Sequence, residues 1–474
     1  MRKYVFLPAL LCLGFSHPET FAPVHRLTAI GMARGDMTDD LLAKRTDLMI
    51  DAQTFAILRD PRAAAGAAKI TSAPMQKIFA AAAEESGLPA TLVSAVAYLE
   101  SWGETGAQSP AGPKGVMQIA SGTAPLMGLR MIYATRYTMS TQTVKVKTKR
   151  GKTVSRIVRR RVPYQVLLKD ERLIPERAIP AAANYISRLQ NRFGGIDWAI
   201  FAYHCGEGCV GSMHGMTEHA KGIKAPYTVP KMFFSATPAL NRELYIALQR
   251  EMERDWSPTY YFRIMRAEQL LKLYKSDPEE FKRLAAEYRY EPNPSQRAPH
   301  RLAAWLRSAD LRYQSLDDIK ADGGKNLVRL FDNPNFFGFH VQSAEEDYLQ
   351  ASPPAIGTLV YIAYEARRLF EEMQPKDKWE PLEVTSLVRP LGLIDRSKPE
   401  GLSHGSGQVF DIEYRSLPLA EREALEFVLE DMGYEGYIGF VEEAPKSGTL
   451  HIGCAPSARD FFSQVYEEAK LAAK

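Results

Sequence analysis

Apolar positions follow two different periods along this chain. Through the first 290 residues they recur mostly at helical spacing. In "AAEESGLPATLVSAVAYLESWG", Gly87 ends one helix and Pro89 opens the next. Leu92, Val96 and Leu99 then line one face, and Gly103 closes the helix just after Glu100. Helical patterns return at "RLAAWLRSADL" and "AIGTLVYIAYEARRLFEEM", after which short runs with strand character take over: "EVTSLVR", "QVFDIEY" and "GTLHIGC". In "QVFDI", Val409 and Asp411 share one face while Phe410 and Ile412 share the other. The Pro-rich "YEPNPSQRAPHR" reads as a connector, and no internal repeat is evident. The pattern predicts a multidomain chain with an α-helical domain over residues 17–290 and an α+β domain over residues 298–474.

One segment departs from this scheme. Residues 145–161, "KVKTKRGKTVSRIVRRR", carry nine basic residues and no acidic one. The β-branched Val144, Val146, Thr148, Thr153, Val158 and Val162 flank Arg150 and Gly151, which predicts two strands around a turn, an insertion spanning 141–163. Such a run is either a solvated hairpin or a contact for an anionic polymer or a membrane surface. No nucleic-acid motif accompanies it, so nucleic acid is not expected as a partner.

The 474 residues are too many for one core, and 45% hydrophobic with 24% charged residues is ordinary globular composition. No apolar run approaches the roughly 20 residues of a membrane span. "MRKYVFLPALLCLGFS" has basic Arg2 and Lys3 before an apolar stretch, with Gly14 and Ser16 as small residues near a cleavage point. It reads as an export signal over residues 1–16, which predicts a periplasmic or secreted protein. Cys12 leaves with that signal, and Cys205, Cys209 and Cys454 remain. In an oxidising compartment "CGEGC" is expected to close a Cys205–Cys209 disulfide, although spacing alone equally allows two thiols.

Glu100 sits beside the apolar stripe of its helix with Trp102 nearby, a setting that desolvates a carboxyl and favours its protonated form. It is followed by Ser101, by "SPAGPKGVMQIASGTA", and later by "IPAAANYISRLQNRFGGIDWAIFAYHCGEG". This ordered set resembles the soluble lytic transglycosylase family, over roughly residues 73–211. The resemblance implies a lysozyme-like fold with Glu100 as general acid and then as base for the substrate's own 6-hydroxyl, giving a 1,6-anhydro sugar. It implies substrate-side roles for Ser101, Met117, Gln118, Tyr203 and His204, and "SPTYYFRIMRAEQLLKLY" aligns Tyr260 with a cleft tyrosine. His204 departs from the family's asparagine, and Glu207 from a common proline. Glu207 or Glu104 would offer a second carboxylate if the enzyme were instead a hydrolytic muramidase.

In the C-terminal part, His404 precedes a Gly405–Gly407 bend that folds it toward Asp411, and His451 lies in a later strand. Two imidazoles and a carboxylate make a zinc set with one position open. "VTSLVRP…SHGSGQVFDI…GTLHIG" resembles the D-Ala-D-Ala-type and hedgehog-like zinc peptidases. The resemblance implies His404, Asp411 and His451 as zinc ligands, Ser403 and Gly407 at the other fixed positions, and Arg389 as a substrate-orienting residue. The family's base is missing, since Gly448 and Thr449 stand there, and Glu442 or Glu443 is the substitute expected. Both resemblances point to peptidoglycan, its glycan strands and its stem peptides. The alternative is a wall-binding protein whose C-terminal domain is catalytically inactive.

Overall fold

The computed structural model describes residues 21–23, 38–147, 149–255, 257–288, 305, 312–342, 346–393, 403–442 and 448–474. The expected signal segment, the connector, Glu443 and all of "RLAAWLRSADL" except Trp305 lie outside the described residues. No helix among the described residues is long and apolar enough to cross a membrane.

The first helix, α1 (Asp39–Leu58), starts at Thr38, whose hydroxyl accepts the Leu41 N–H. It belongs to a compact unit made of Met1–Arg59, Ser212–Pro258 and Glu287–Lys474. A second unit holds Asp60–Gly211 and Thr259–Ala286. The single boundary expected between residues 290 and 298 is therefore corrected, because α1 and residues 212–258 group with the C-terminal part.

The second unit is helical. α2 (Ala63–Ile70), α3 (Ala73–Ser86) and α4 (Ala90–Ser101) are followed by a hairpin and by α5 (Pro175–Phe193) and α6 (Ile196–Cys205). α4 packs on α3 and on the helix Tyr260–Ser276, while α5 packs on α3 and α6. Phe79, Val93, Val96, Trp198, Phe201 and Phe262 are wholly buried. The hairpin pairs β1 (Met131–Lys147) with β2 (Thr153–Asp170) as a sheet of two antiparallel strands. Its strands run well past the expected 141–163, because Met131–Gln142 carries only one charge and gave no basic signal.

In the other unit, β3 (Val328–Arg329) pairs with β5 (Gln350–Ala351). The main sheet has the order β4-β6-β7-β9-β8, from β4 (Phe339–Val341), β6 (Leu382–Ser386), β7 (Val409–Glu413), β8 (Ile438–Glu442) and β9 (Thr449–Cys454). β4 and β6 are parallel, and the other pairs are antiparallel. Phe410, Ile412, Leu450 and Ile452 enter one core with Leu359, Leu425, Val428 and Phe462, from the helices Pro353–Met373, Leu419–Tyr434 and Arg459–Ala472. Gly357 is required where two of these helices cross, since a methyl there would overlap the Phe462 carbonyl.

A buried cation explains why α1 joins this unit. The Arg45 side chain is 2% exposed and donates to Asp431 and Glu435 on and just after the helix Leu419–Tyr434, with its guanidinium 4.4 Å over the Phe234 ring. Removing that cation strands two buried carboxylates. Arg45→Met is expected to lower unfolding stability by about 3–5 kcal/mol in urea denaturation. A loss below about 1 kcal/mol would mean that α1 does not anchor there.

Candidate active site

Glu100 lies in the last turn of α4 with its side chain 15% exposed. The Tyr260 hydroxyl donates to Glu100 Oε1 at 2.5 Å. Burial, and after it the Glu100 charge, hold the Tyr260 hydroxyl well above the usual tyrosine range, so it remains a donor. The His204 ring stacks on Tyr260 with centroids 4.3 Å apart, and its Nδ1 is 3.9 Å from Glu100 Oε1. One carboxyl thus meets a phenol and an imidazole brought in by two other helices.

The motif segment wraps against this carboxyl through its backbone. Ser101 Oγ donates to the Val116 carbonyl at 2.9 Å, Tyr203 Oη to the Met117 carbonyl at 2.7 Å, and Arg172 Nη1 to the Ile119 carbonyl at 3.0 Å. Gly115 sits at φ 78° against the Arg172 carbonyl, where any Cβ would overlap the oxygen. Trp102, φ 54°, and Gln118, φ 46°, are the two described non-glycine residues at positive φ, and both lie in this site. Such backbone is held only where its surroundings over-determine it.

Several expectations for substrate-side residues need correction. Ser101 is buried and Met117 is wholly buried, so both support the turn from inside and do not face a ligand. Gln118 is half-buried and donates to the Gly115 carbonyl at 2.8 Å. Tyr203 is half-buried and engaged with the turn, while His204 is exposed beside Glu100. The two other candidate carboxylates are occupied elsewhere: Glu104 pairs with Lys69, and Glu207 pairs with Arg192 and accepts from Tyr185 at 3.0 Å. No disulfide joins Cys205 and Cys209, which stand at the end of α6 and beyond the Gly206 break.

Asp170 and Arg172 escaped the sequence reading. Arg172 grips Asp170 with two bonds of 2.8 and 2.7 Å, both side chains being almost wholly buried, and it is this fixed guanidinium that reaches Ile119. A signal existed: no acidic residue occurs between Glu104 and Asp170, so the first one to appear closes the basic hairpin.

A second cluster forms in the other unit from strand register. β7 and β9 place Asp411 directly opposite His451, and the turn Ser403–Ser406 swings His404 onto the same carboxylate. The ligand atoms of the three lie within 4.8 Å of one another, and all three residues are buried. His451 Nδ1 is 2.7 Å from Asp411 Oδ1, and His404 Nε2 is 3.0 Å from Oδ2. His404 Nδ1 faces the Leu387 carbonyl at 2.6 Å, which can only accept, so that nitrogen carries the proton. In the neutral ring His404 Nε2 is then a second acceptor aimed at a carboxylate, but although burial opposes charge on the ring, Asp411 raises it above the usual imidazole range and favours an N–H there. His451 Nε2 has its own partner in Ser403 Oγ at 2.5 Å. Burial opposes charge on Asp411, but the two imidazoles hold its carboxyl well below the usual range. Three inward donors, with both outer nitrogens engaged, fit a divalent cation.

The remaining C-terminal candidates are less central. Arg389 is exposed, its N–H donating to the His404 carbonyl at 3.3 Å. Glu442 opposes Leu450 in the β8–β9 register, which puts it on the face away from His451, and it accepts from Arg415 at 2.7 Å. As a base for the His404 cluster Glu442 is corrected on that ground, and Glu443 lies outside the described residues.

The family model described as the transglycosylase SLT domain matches residues 77–146 and 151–225. The N-terminal half therefore carries an SLT domain, of the lytic transglycosylase, lysozyme-like class, and its helical architecture is consistent with that. The match gives no support to a zinc-peptidase family for the C-terminal part, whose sheets and helices stand as an α+β arrangement only. No curated protein matches the chain.

Asp170 offers a test of how the turn is held. The Arg172 bonds keep its carboxyl below the usual range, so its contribution is present in full above the unfolded value near 3.9 and is lost as pH falls through the folded one. Asp170→Asn should cost about 3–5 kcal/mol at neutral pH by leaving Arg172 buried and unpaired. The gap from the parent, followed by denaturation against pH, should narrow only below about pH 3.9. A gap unchanged down to pH 2 would show that the ion pair is not its source.

Proposed function

We propose that this chain is a peptidoglycan lytic transglycosylase that cleaves between N-acetylmuramic acid and N-acetylglucosamine and releases a 1,6-anhydro product. The observation that carries the reading is the Tyr260–Glu100 hydrogen bond at the centre of the SLT-matched unit, with Glu104 and Glu207 tied to other partners. A hydrolytic muramidase of the usual kind needs two carboxyl groups flanking the bond. A transglycosylase needs one. Glu100 first gives its proton to the glycosidic oxygen and then takes one from the muramic 6-hydroxyl, whose attack on its own C1 replaces water. Tyr260 holds Oε1 throughout, which leaves Oε2 for proton transfer. His204, stacked on the Tyr260 ring and exposed beside Glu100, is the group that meets the sugar where the family has asparagine. This activity fits a cell-envelope protein.

Glu100→Gln keeps the shape of the side chain and removes the transferable proton, so glycan release from sacculi should stop while the circular-dichroism spectrum stays unchanged. The parent's fragments should be one water lighter than hydrolytic products by mass spectrometry. Reducing-end muramic acid as the main product would make the enzyme a muramidase.

For the C-terminal unit we propose a zinc site that engages stem peptides. His404 Nε2, His451 Nδ1 and Asp411 would hold the ion, with the Leu387 carbonyl and Ser403 fixing the two rings. Zinc so held supplies Lewis acidity toward a peptide carbonyl. Arg389 stands at the rim to orient a carboxylate, and the unit binds stem peptides whether or not it also cleaves them. The purified chain should contain about one zinc per molecule, and His404→Ala and His451→Ala should each lose it by elemental analysis. Glycan cleavage should persist in both. A chain that takes up no zinc would remove this part of the proposal and leave the glycan reaction untouched.

A further inference from the structure

Beyond its root, where Asp170 and Arg172 hold the active-site turn, the hairpin β1–β2 has no role in the chemistry above, and its surface is unusual in two independent respects. From Met131 to Lys169 there are eleven lysines and arginines and no acidic residue; the one carboxylate of the two strands, Asp170, is held by Arg172, and Lys169 pairs with the adjoining Glu171. The same strands also expose apolar side chains: Ile157 is 68% exposed, Met139 and Leu168 60%, Tyr137 52% and Tyr133 49%. Nine of the fourteen large hydrophobic side chains most exposed among the described residues lie on these two strands.

Register puts both properties on each face of the ribbon. From Tyr133 opposite Leu167 to Lys147 opposite Thr153 the pairing is regular, so alternate pairs share a side. One side carries Tyr133, Tyr137, Met139 and Ile157 together with Arg159, Arg161, Lys145 and Lys147, with the Arg161 guanidinium 3.9 Å over the Tyr137 ring, and the other carries Val154, Val162 and Tyr164 with Arg136, Arg156 and Arg160. The aromatic end is near the hairpin root and the lysines are near its turn. With strands of 17 and 18 residues, the ribbon extends on the order of 55 Å.

We infer that this hairpin is a membrane-binding arm that docks on an anionic lipid surface. A soluble polyanion would satisfy the guanidinium and ammonium groups but leave Met139, Ile157 and Leu168 in water. A bilayer interface meets both, with phosphates for the cations, the acyl boundary for the aliphatics, and the intermediate layer that tyrosine prefers. The inference rests on the hairpin alone and is independent of the glycan reaction.

Co-sedimentation of the full chain with phosphatidylglycerol–phosphatidylcholine vesicles tests it, with pure phosphatidylcholine vesicles alongside. Binding is expected to the first and not the second, to weaken with added salt, and to slow trypsin at the Arg159–Arg161 cluster. Replacing Arg156, Arg159, Arg160 and Arg161 with alanine should weaken binding at least about tenfold. Met139→Ser with Ile157→Ser should weaken it several-fold at unchanged charge and leave heparin binding intact. Both variants should still cleave soluble glycan fragments, which shows that they fold. Absence of vesicle binding by the parent would overturn the inference, as would arginine replacements without effect. Loss of vesicle binding only with charge, with no effect of the two serines, would make the arm a receptor for soluble polyanions and not for membranes.

Discussion

The site depends on one turn being held from three directions. Residues 114–119 present their carbonyls to Ser101 at the end of α4, to Tyr203 on α6 and to Arg172 at the root of the hairpin. These bonds are possible only because Gly115 lets the backbone lie directly against the Arg172 carbonyl. A buried carbonyl left without a donor costs about 1–3 kcal/mol, so each bond also locks the element that supplies it. Glu100 is therefore positioned less by its own contacts than by a frame in which α4, α6 and the hairpin root cannot shift independently. The left-handed backbone at Trp102 and Gln118 on either side of that frame is its visible strain.

Within this frame the partners of the acids matter as much as the acids themselves. Glu104 and Glu207 are close to Glu100 or its cleft in sequence, and each is neutralised by a basic side chain of its own. Glu100 instead accepts from the Tyr260 phenol and lies 3.9 Å from His204 Nδ1.

What the sequence made legible follows physical range. The helix under Glu100 is written in a few adjacent residues, Pro89 through Gly103, and the juxtaposition of Asp411 and His451 follows from period-two alternation in two strands. Side-chain direction is not written that way. Ser101 and Met117 belong to the motif yet point inward, because a turn must bury some of its own residues to be held. The unit boundaries were illegible for a different reason: Arg45 is bound to carboxylates 386 and 390 residues away, and nothing in a helical pattern announces a long-range ion pair. The hairpin's length was underestimated because charge, and not strand alternation, marked it.

The unit containing the sheet buries negative charge in two places and treats them differently. Asp431 and Glu435 receive Arg45, a cation built into the chain. Asp411 receives two imidazoles, one of which has its proton committed to the Leu387 carbonyl and so turns a lone pair toward the carboxylate. Two facing acceptors in a buried space are repulsive unless a positive charge lies between them. Arg389 is exposed and bonds the Thr385 carbonyl, and it makes no ion pair with Asp411 among the described residues. A second proton on His404 supplies that charge, since, against the opposing effect of burial, the Asp411 carboxylate raises that ring above the usual imidazole range. His451 Nδ1 already meets Asp411 Oδ1 at 2.7 Å, so that proton leaves both carboxylate oxygens facing an imidazole N–H. The Leu387 carbonyl and Ser403 hold the outer nitrogens of the two rings, so neither imidazole is free to turn away from Asp411.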